Sequence, residues 1–233
     1  MYKTYKKDLD YSYVEGIFPS LELIETRPDL VKEVLISSKY DKIDKLSQDL
    51  DRRKIPYKID DKSIKRITRR DNSYLVGVFN KRREEPGHGP HIVLDRPSNM
   101  GNLGTIIRTM VGMGYKDLII TGKSCDYFDP KVVRASMGAF FKVNIKEVES
   151  IGAYKKAYPN KDLYLFMLGE KTLMDVKDAK DYALCFGNEG EGIDEENKAY
   201  GRAIMIPQTD EVDSLNLPIS TSIAMFYFSQ IIK

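Results

Sequence analysis

The sequence has no tryptophan, only two cysteines and only two histidines in 233 residues. Cys125 and Cys185 lie far apart, and with only His88 and His91 beside them they cannot supply the four ligands of a structural zinc site. No metal is therefore expected, and both thiols read as reduced. Histidine is equally scarce for hydrolysis, since a Ser-His-Asp arrangement would have to use one of two histidines set in a Gly/Pro-rich stretch. Long apolar runs are missing as well. Uninterrupted runs such as Ile204-Met205-Ile206 span only a few residues, whereas a membrane crossing needs about 20. The basic N-terminus is followed by no apolar stretch of the kind a secretory signal carries, so no membrane role is expected and the cytoplasm is the default location.

A strong excess of one charge is also absent, with 37 basic and 35 acidic residues. Placement is lopsided, however. Residues 52–83 hold twelve basic side chains against Asp60, Asp61 and Asp71. Such a run is either a solvated face or a phosphate-binding one, and the second reading needs an independent feature that asks for nucleic acid. What is present is ordinary globular composition, 42% hydrophobic and 31% charged, enough for one large domain or two modest ones.

Composition breaks at residues 81–90, which are charged and then rich in Gly and Pro, and this stretch reads as a linker. It divides a small α/β domain, residues 1–80, from a larger one, residues 91–233. The first carries helical signals at 20–26 and 42–53 and strand signals at 34–37 and 74–79. In the second, apolar strands at 91–94, 117–121, 163–168, 182–186 and 203–206 alternate with helices near 103–113, 130–139, 151–158 and 219–232. That rhythm predicts a mostly parallel sheet covered by helices, with ligands at the carboxyl ends of its strands.

Three loops at such strand ends are rich in glycine and polar groups. Two nucleotide signatures fail there. Gly101 and Gly104, and Gly187, Gly190 and Gly192, miss the G-x-G-x-x-G spacing of dinucleotide folds. Gly122-Lys123-Ser124 lacks the first glycine of a P-loop, because position 117 is Asp117. A nucleotide-dependent oxidoreductase is therefore disfavoured.

The ordered motifs are Asn102-x-Gly104-x-x-x-Arg108, then Phe186-Gly187-Asn188-Glu189-Gly190-x-Gly192, then Ile206-Pro207 leading to Ser214-Leu215-Asn216. On these residues the chain resembles the SpoU/TrmH family of RNA ribose 2′-O-methyltransferases in the SPOUT superfamily. Residues 129–138 resemble the family's middle region, and the N-terminal part more loosely resembles a ribosomal-protein-like RNA-binding domain. The resemblance implies a small N-terminal α/β RNA-binding domain followed by a catalytic α/β domain tied in a deep trefoil knot, S-adenosylmethionine as cofactor, and a homodimer. By the same resemblance Asn102, Arg108, Glu189, Ser214 and Asn216 match active-site positions, and the backbone around Gly187, Ile206 and Leu215 matches the cofactor pocket. Pro218 departs from the family pattern, but proline in the first turn of a helix costs little.

The chemistry accounts for these residue types. Methyl transfer to a ribose hydroxyl requires an aligned nucleophile and relief of its proton. Arg108 can grip an RNA phosphate bidentately and so place the adjacent 2′-hydroxyl, and a guanidinium that stays charged in proteins is better suited to positioning than to taking a proton. Glu189 is either a proton acceptor or an orienting group, while Asn102, Ser214 and Asn216 offer neutral hydrogen bonds. Each could alternatively serve a turn or a helix cap. The basic stretch now has its second feature, and Lys65, Arg66, Arg69 and Arg70 are assigned to the RNA backbone. The two-domain layout favours 23S ribosomal RNA. A tRNA 2′-O-methyltransferase and a non-catalytic knotted RNA-binding protein are the alternatives.

Overall fold

The structure, a computed structural model, describes residues 2–68, 73–169 and 171–231. In chain order its elements are β1 (Tyr11–Glu15), α1 (Ile17–Thr26), β2 (Val31–Ile36), α2 (Ile43–Arg53), β3 (Tyr57–Ile59), α3 (Asp61–Ile67), β4 (Leu75–Asn80), β5 (His91–Asp95), α4 (Met100–Gly112), β6 (Asp117–Thr121), α5 (Pro130–Ala135), β7 (Asn144–Val148), α6 (Ile151–Ala157), β8 (Asp162–Phe166), β9 (Tyr182–Phe186), β10 (Arg202–Ile204) and α7 (Leu217–Ile231). They form two compact units, one of Met1–Arg82 with Asp126–Lys142, the other of Arg83–Cys125 with Val143–Lys233.

The first unit is built on a four-stranded sheet of order β1-β4-β2-β3, in which only β2 and β3 are parallel. Successive residues of β2 and β4 alternate between its two faces. Val34, Ile36 and Leu75 join Ile24, Leu46 and Leu50 on one side, whereas Leu35, Val76 and Val78 meet Tyr13, Ile64 and Ile67 on the other. Helix α2 turns Leu46 and Leu50, four residues apart, into the first of these cores. Helix α3 starts where Asp60 accepts from the Ser63 amide at 2.9 Å and from its hydroxyl at 2.6 Å.

Residues 126–142 belong to this unit, although their sequence lies within the strand–helix alternation of the other. Phe140 and Phe141 pack on Phe79, with centroids 5.9 and 5.1 Å apart, and Arg134 pairs with the mostly buried Glu15 at 3.1 Å. The single helix expected at 130–139 is also shorter. α5 ends at Ala135, Met137 and Gly138 take positive φ, and a 3-10 turn, Ala139–Lys142, follows. The reason is local: Ser136 turns its hydroxyl back to the Val133 carbonyl at 2.7 Å, and Gly138 supplies a φ of 87° that no helix accommodates.

The second unit is a six-stranded sheet of order β10-β8-β9-β5-β6-β7, parallel at every pairing. β5, β6 and β9 are buried along their whole length, as strands covered on both faces must be. Ile151 and Tyr154 of α6 close one face with Val93, Ile119, Leu165 and Cys185. On the other, α4 and α7 pack together, and Phe228 lies against Tyr164 and Tyr182 at 5.0 Å each. Of the stretch read as a linker, residues 83–90 belong to this unit, with Gly87 donating to Asp117 at 2.9 Å and Lys146 pairing with Glu85 at 2.5 Å.

Candidate active site

Parallel pairing sets every strand of the second unit pointing the same way, so the loops after β5, β9 and β10 share one edge of the sheet. β5 lies directly beside β9, with Leu94 opposite Phe186, while β10 is three strands from β5, roughly 14 Å at about 4.8 Å per strand. The first and second motifs therefore touch directly.

Their junction is Glu189. Its carboxylate accepts from the Ser98 amide (3.1 Å), the Ser98 hydroxyl (2.8 Å), the Asn99 amide (3.2 Å) and the Asn102 side-chain amide (3.2 Å). Partial burial pushes this carboxyl up, but the bonds from Ser98, the local backbone and Asn102 outweigh that and hold it below the ordinary glutamate range. A carboxylate so engaged is a weak proton acceptor and a strong anchor. Asn99 beside it caps α4, accepting from Gly101 and Asn102 amides at 2.9 and 3.0 Å.

The second loop closes on itself. Asn188 and Gly192 exchange backbone hydrogen bonds at 3.2 and 3.0 Å, and Asn188 reaches across to the Arg96 carbonyl at 2.8 Å. The backbone of Gly192 and Ile193 passes so close to Gly187 that a Cβ there would lie 2.1–2.4 Å from it, which only glycine permits. Arg96 bonds Asp95 at 2.9 Å and Glu191 and Asp194 at 3.0 Å each. Burial works against its charge, yet Asp194 and Asp95 more than compensate and raise its pKa above that of ordinary arginine.

Of the residues singled out from sequence, Asn102 and Glu189 are brought into contact. Arg108 lies six residues further along α4, roughly 9 Å by helical rise, its side chain exposed and with no hydrogen-bond or ion-pair partner among the described residues. Ser214 and Asn216 are exposed and, among the described residues, make no side-chain hydrogen bond. Ser214 is not the cap of α7, which starts at Leu217, while the Asn216 carbonyl accepts from Ser220 at 3.0 Å. Pro218 falls in the first turn of α7, as its chemistry requires. Gly187, Ile206 and Leu215 are half-buried, Gly187 directly after β9, Ile206 two residues after β10 and Leu215 two residues ahead of α7. Sequence reasoning missed Arg96, Ser98, Asn99 and Asn188. The Ser-Asn pair before a helix and the Asn within a glycine turn were the available signals.

Lys65 and Arg66 are exposed on α3, and Arg69 and Arg70 lie outside the described residues. The basic stretch is less one-sided than its sequence. Arg53 pairs with Asp49 and Glu25, Lys58 with Glu33, and Arg82 with Asp29. A separate cleft of about 560 Å³, lined by Tyr164, Lys171, Asp175, Lys177, Asp178 and Arg202 among others, contains none of the motif residues. Among the described residues no group of His, Cys, Asp or Glu is arranged to hold a metal ion, and no helix is long and apolar enough to cross a membrane.

A sequence model of the SpoU rRNA Methylase family matches residues 89–226. The chain belongs to the SpoU rRNA methylase family. It is similar to an uncharacterized tRNA/rRNA methyltransferase from Synechocystis, 28% identical over 149 residues, 62% of this chain and 54% of that protein, so it spans about half of that relative's length. It is also 22% identical over 205 residues to the 23S rRNA (guanosine(2553)-2′-O)-methyltransferase RlmP of Bacillus subtilis, covering 86% of this chain and 81% of RlmP. Among solved structures, the AdoMet-bound rRNA methyltransferase from Sinorhizobium meliloti superposes with a TM-score of 0.81 at 26% identity, over 95% of this chain and 87% of that one. The SpoU match spans all three motif loops and the strands that bring them to one edge.

Proposed function

We propose that this protein is an S-adenosylmethionine-dependent RNA ribose 2′-O-methyltransferase whose substrate is 23S ribosomal RNA. The observation that carries the reading is the gathering of the three family motifs on one sheet edge, with Glu189 of the second binding Asn102 of the first. The residues around Gly187, Ile206 and Leu215 suit an adenosyl ligand, since the closed glycine loop presents backbone groups and the two aliphatic side chains are only half-buried. When bound, S-adenosylmethionine supplies the methyl group.

The rest is done by the chain. Arg108, exposed and unengaged by the described residues, grips an RNA phosphate and so places the neighbouring 2′-hydroxyl. Its charge also favours the negative character that builds on the ribose oxygen. Glu189 orients Asn102 and the start of α4, and because its lone pairs are already committed the hydroxyl proton leaves to solvent. Ser214 and Asn216 offer hydrogen bonds to ribose or phosphate from the loop ahead of α7.

The 23S assignment is supported by the likeness to RlmP, which extends over most of the chain rather than the second unit alone. Lys65, Arg66, Arg69 and Arg70 hold the RNA backbone. The protein acts as a homodimer, supported by α7, which exposes Ile219 (53%), Ile223 (39%) and Phe226 (56%) at spacings of four and three residues. The knot of the family encloses the cofactor pocket. The cytoplasm is its compartment, a reading supported by two cysteines that form no disulfide.

Transfer of labelled methyl from S-adenosylmethionine to total RNA of a strain lacking the gene, followed by nucleoside analysis, tests this. Label in 2′-O-methylnucleosides of large-subunit rRNA is the expected result. Label in tRNA overturns the substrate, and cofactor binding without transfer to any RNA or ribosomal precursor leaves a non-catalytic RNA-binding protein.

A further inference from the structure

We propose that Arg96 is a positioning residue that clamps the loop after β9 in the shape that receives the cofactor, an inference that rests on the methyltransferase reading above. Arg96 sits at φ 52°, a conformation that side-chain-bearing residues rarely adopt. Its surroundings hold it there from every side. Its amide donates to the Thr121 carbonyl at 2.9 Å, and its own carbonyl accepts from Asn188 at 2.8 Å. Gly122 leaves room for it, because a Cβ there would come within 2.8 Å of Arg96 Cγ.

The guanidinium then bridges two elements. Nε donates to Asp95 (2.9 Å), which is buried and also accepts from Thr121 Oγ1 (2.5 Å), so this end is anchored in β5 and β6. The other end reaches Asp194 (3.0 Å), Glu191 (3.0 Å) and the Gly192 carbonyl (3.4 Å). Glu191 is the more exposed of the two loop carboxylates, 71% against 50% for Asp194, so the fastening lies with buried Asp95 and, on the loop, chiefly with Asp194. Gly192 is the residue whose backbone crosses Gly187. The clamp therefore acts on the point that determines how the main chain at Gly187 faces the pocket. A planar fork is required, since a lysine ammonium cannot span both carboxylates in one geometry.

The test combines calorimetric binding of S-adenosylhomocysteine with amide hydrogen exchange of the free protein, in wild type, Arg96→Ala, Arg96→Lys, Asp194→Asn and the Arg96→Ala/Asp194→Asn double variant. Arg96→Ala is expected to weaken binding about tenfold or more and to speed exchange at residues 188–194 alone, with RNA affinity in the absence of cofactor unchanged. Arg96→Lys should recover part of the affinity, and the double variant should be no worse than Arg96→Ala, as residues in one contact are not additive. Wild-type binding and exchange in Arg96→Ala, or faster exchange spread through the whole second unit, would overturn the clamp. Should Arg96→Ala fail to fold, Asp194→Asn, which keeps the Arg96–Asp95 pair, carries both readouts, and unchanged values there overturn it equally. If wild type binds no S-adenosylhomocysteine while exchange at 188–194 still responds to the substitutions, the methyltransferase reading falls, and with it the cofactor role of Arg96, while the loop contact itself stands.

Discussion

Glu189 and Arg108 lie in neighbouring motifs but have opposite surroundings. The carboxylate is saturated by Ser98, Asn99 and Asn102, whereas the guanidinium is exposed and without a partner among the described residues. Arg108→Ala should lower methyl transfer about 100-fold or more, a common scale for losing one transition-state contact, and leave S-adenosylhomocysteine affinity unchanged; wild-type turnover would remove Arg108 from the mechanism. His91 poses a different question. It is buried against Tyr154 (3.0 Å) and Tyr158, and burial lowers its pKa. The neutral imidazole is thus favoured in the folded state, so stability is fully present above the unfolded value of about 6.5 and falls as the pH drops below it, levelling off beneath the folded value. Urea unfolding from pH 7.5 to 5 should show this slope in wild type and a shallower one in His91→Asn.

Among the elements, α4 positions part of the candidate site and α7 bears the proposed dimer face. α4 carries Asn102 and Arg108, and Asn99 caps it through two amides. Asn99→Ala should cost about 1 kcal/mol of stability, read from the urea midpoint, and should reduce turnover further by loosening Asn102. α7 leaves Ile219, Ile223 and Phe226 exposed in one row. Phe226→Glu places a charge in that row and should convert a dimer to a monomer in sedimentation, whereas a wild-type protein that already sediments as a monomer would discard the dimer. Elements with a full apolar signal were legible from sequence, β6 and β9 to the residue. β7 was not, because as an edge strand with Ile145 alone fully buried it carries no apolar run, and β3 has three residues, too few for any period to register.

For the whole molecule, the proposed RNA binding depends on charge that survives pairing. Surface ion pairs such as Arg53–Glu25 and Lys58–Glu33 are weak and screened, so they moderate the basic stretch without abolishing it. Replacing Lys65, Arg66, Arg69 and Arg70 by glutamine should weaken RNA binding and flatten its salt dependence by about 0.7–0.9 per lost phosphate contact, and an unchanged slope would return those residues to the solvated surface. Sequence by itself determined the class of the second unit, the three motif loops and the motif residues proposed to bear the chemistry, because strand periodicity and motif spacing are local properties of the chain. Tertiary structure alone decided that residues 126–142 pack with the first unit, since Phe140 and Phe141 find their partner in Phe79, some sixty positions away. It also decided that Glu189 is an anchor and that Arg96 fastens the neighbouring loop. Both roles depend on β5 lying beside β9, a long-range pairing that no local pattern records.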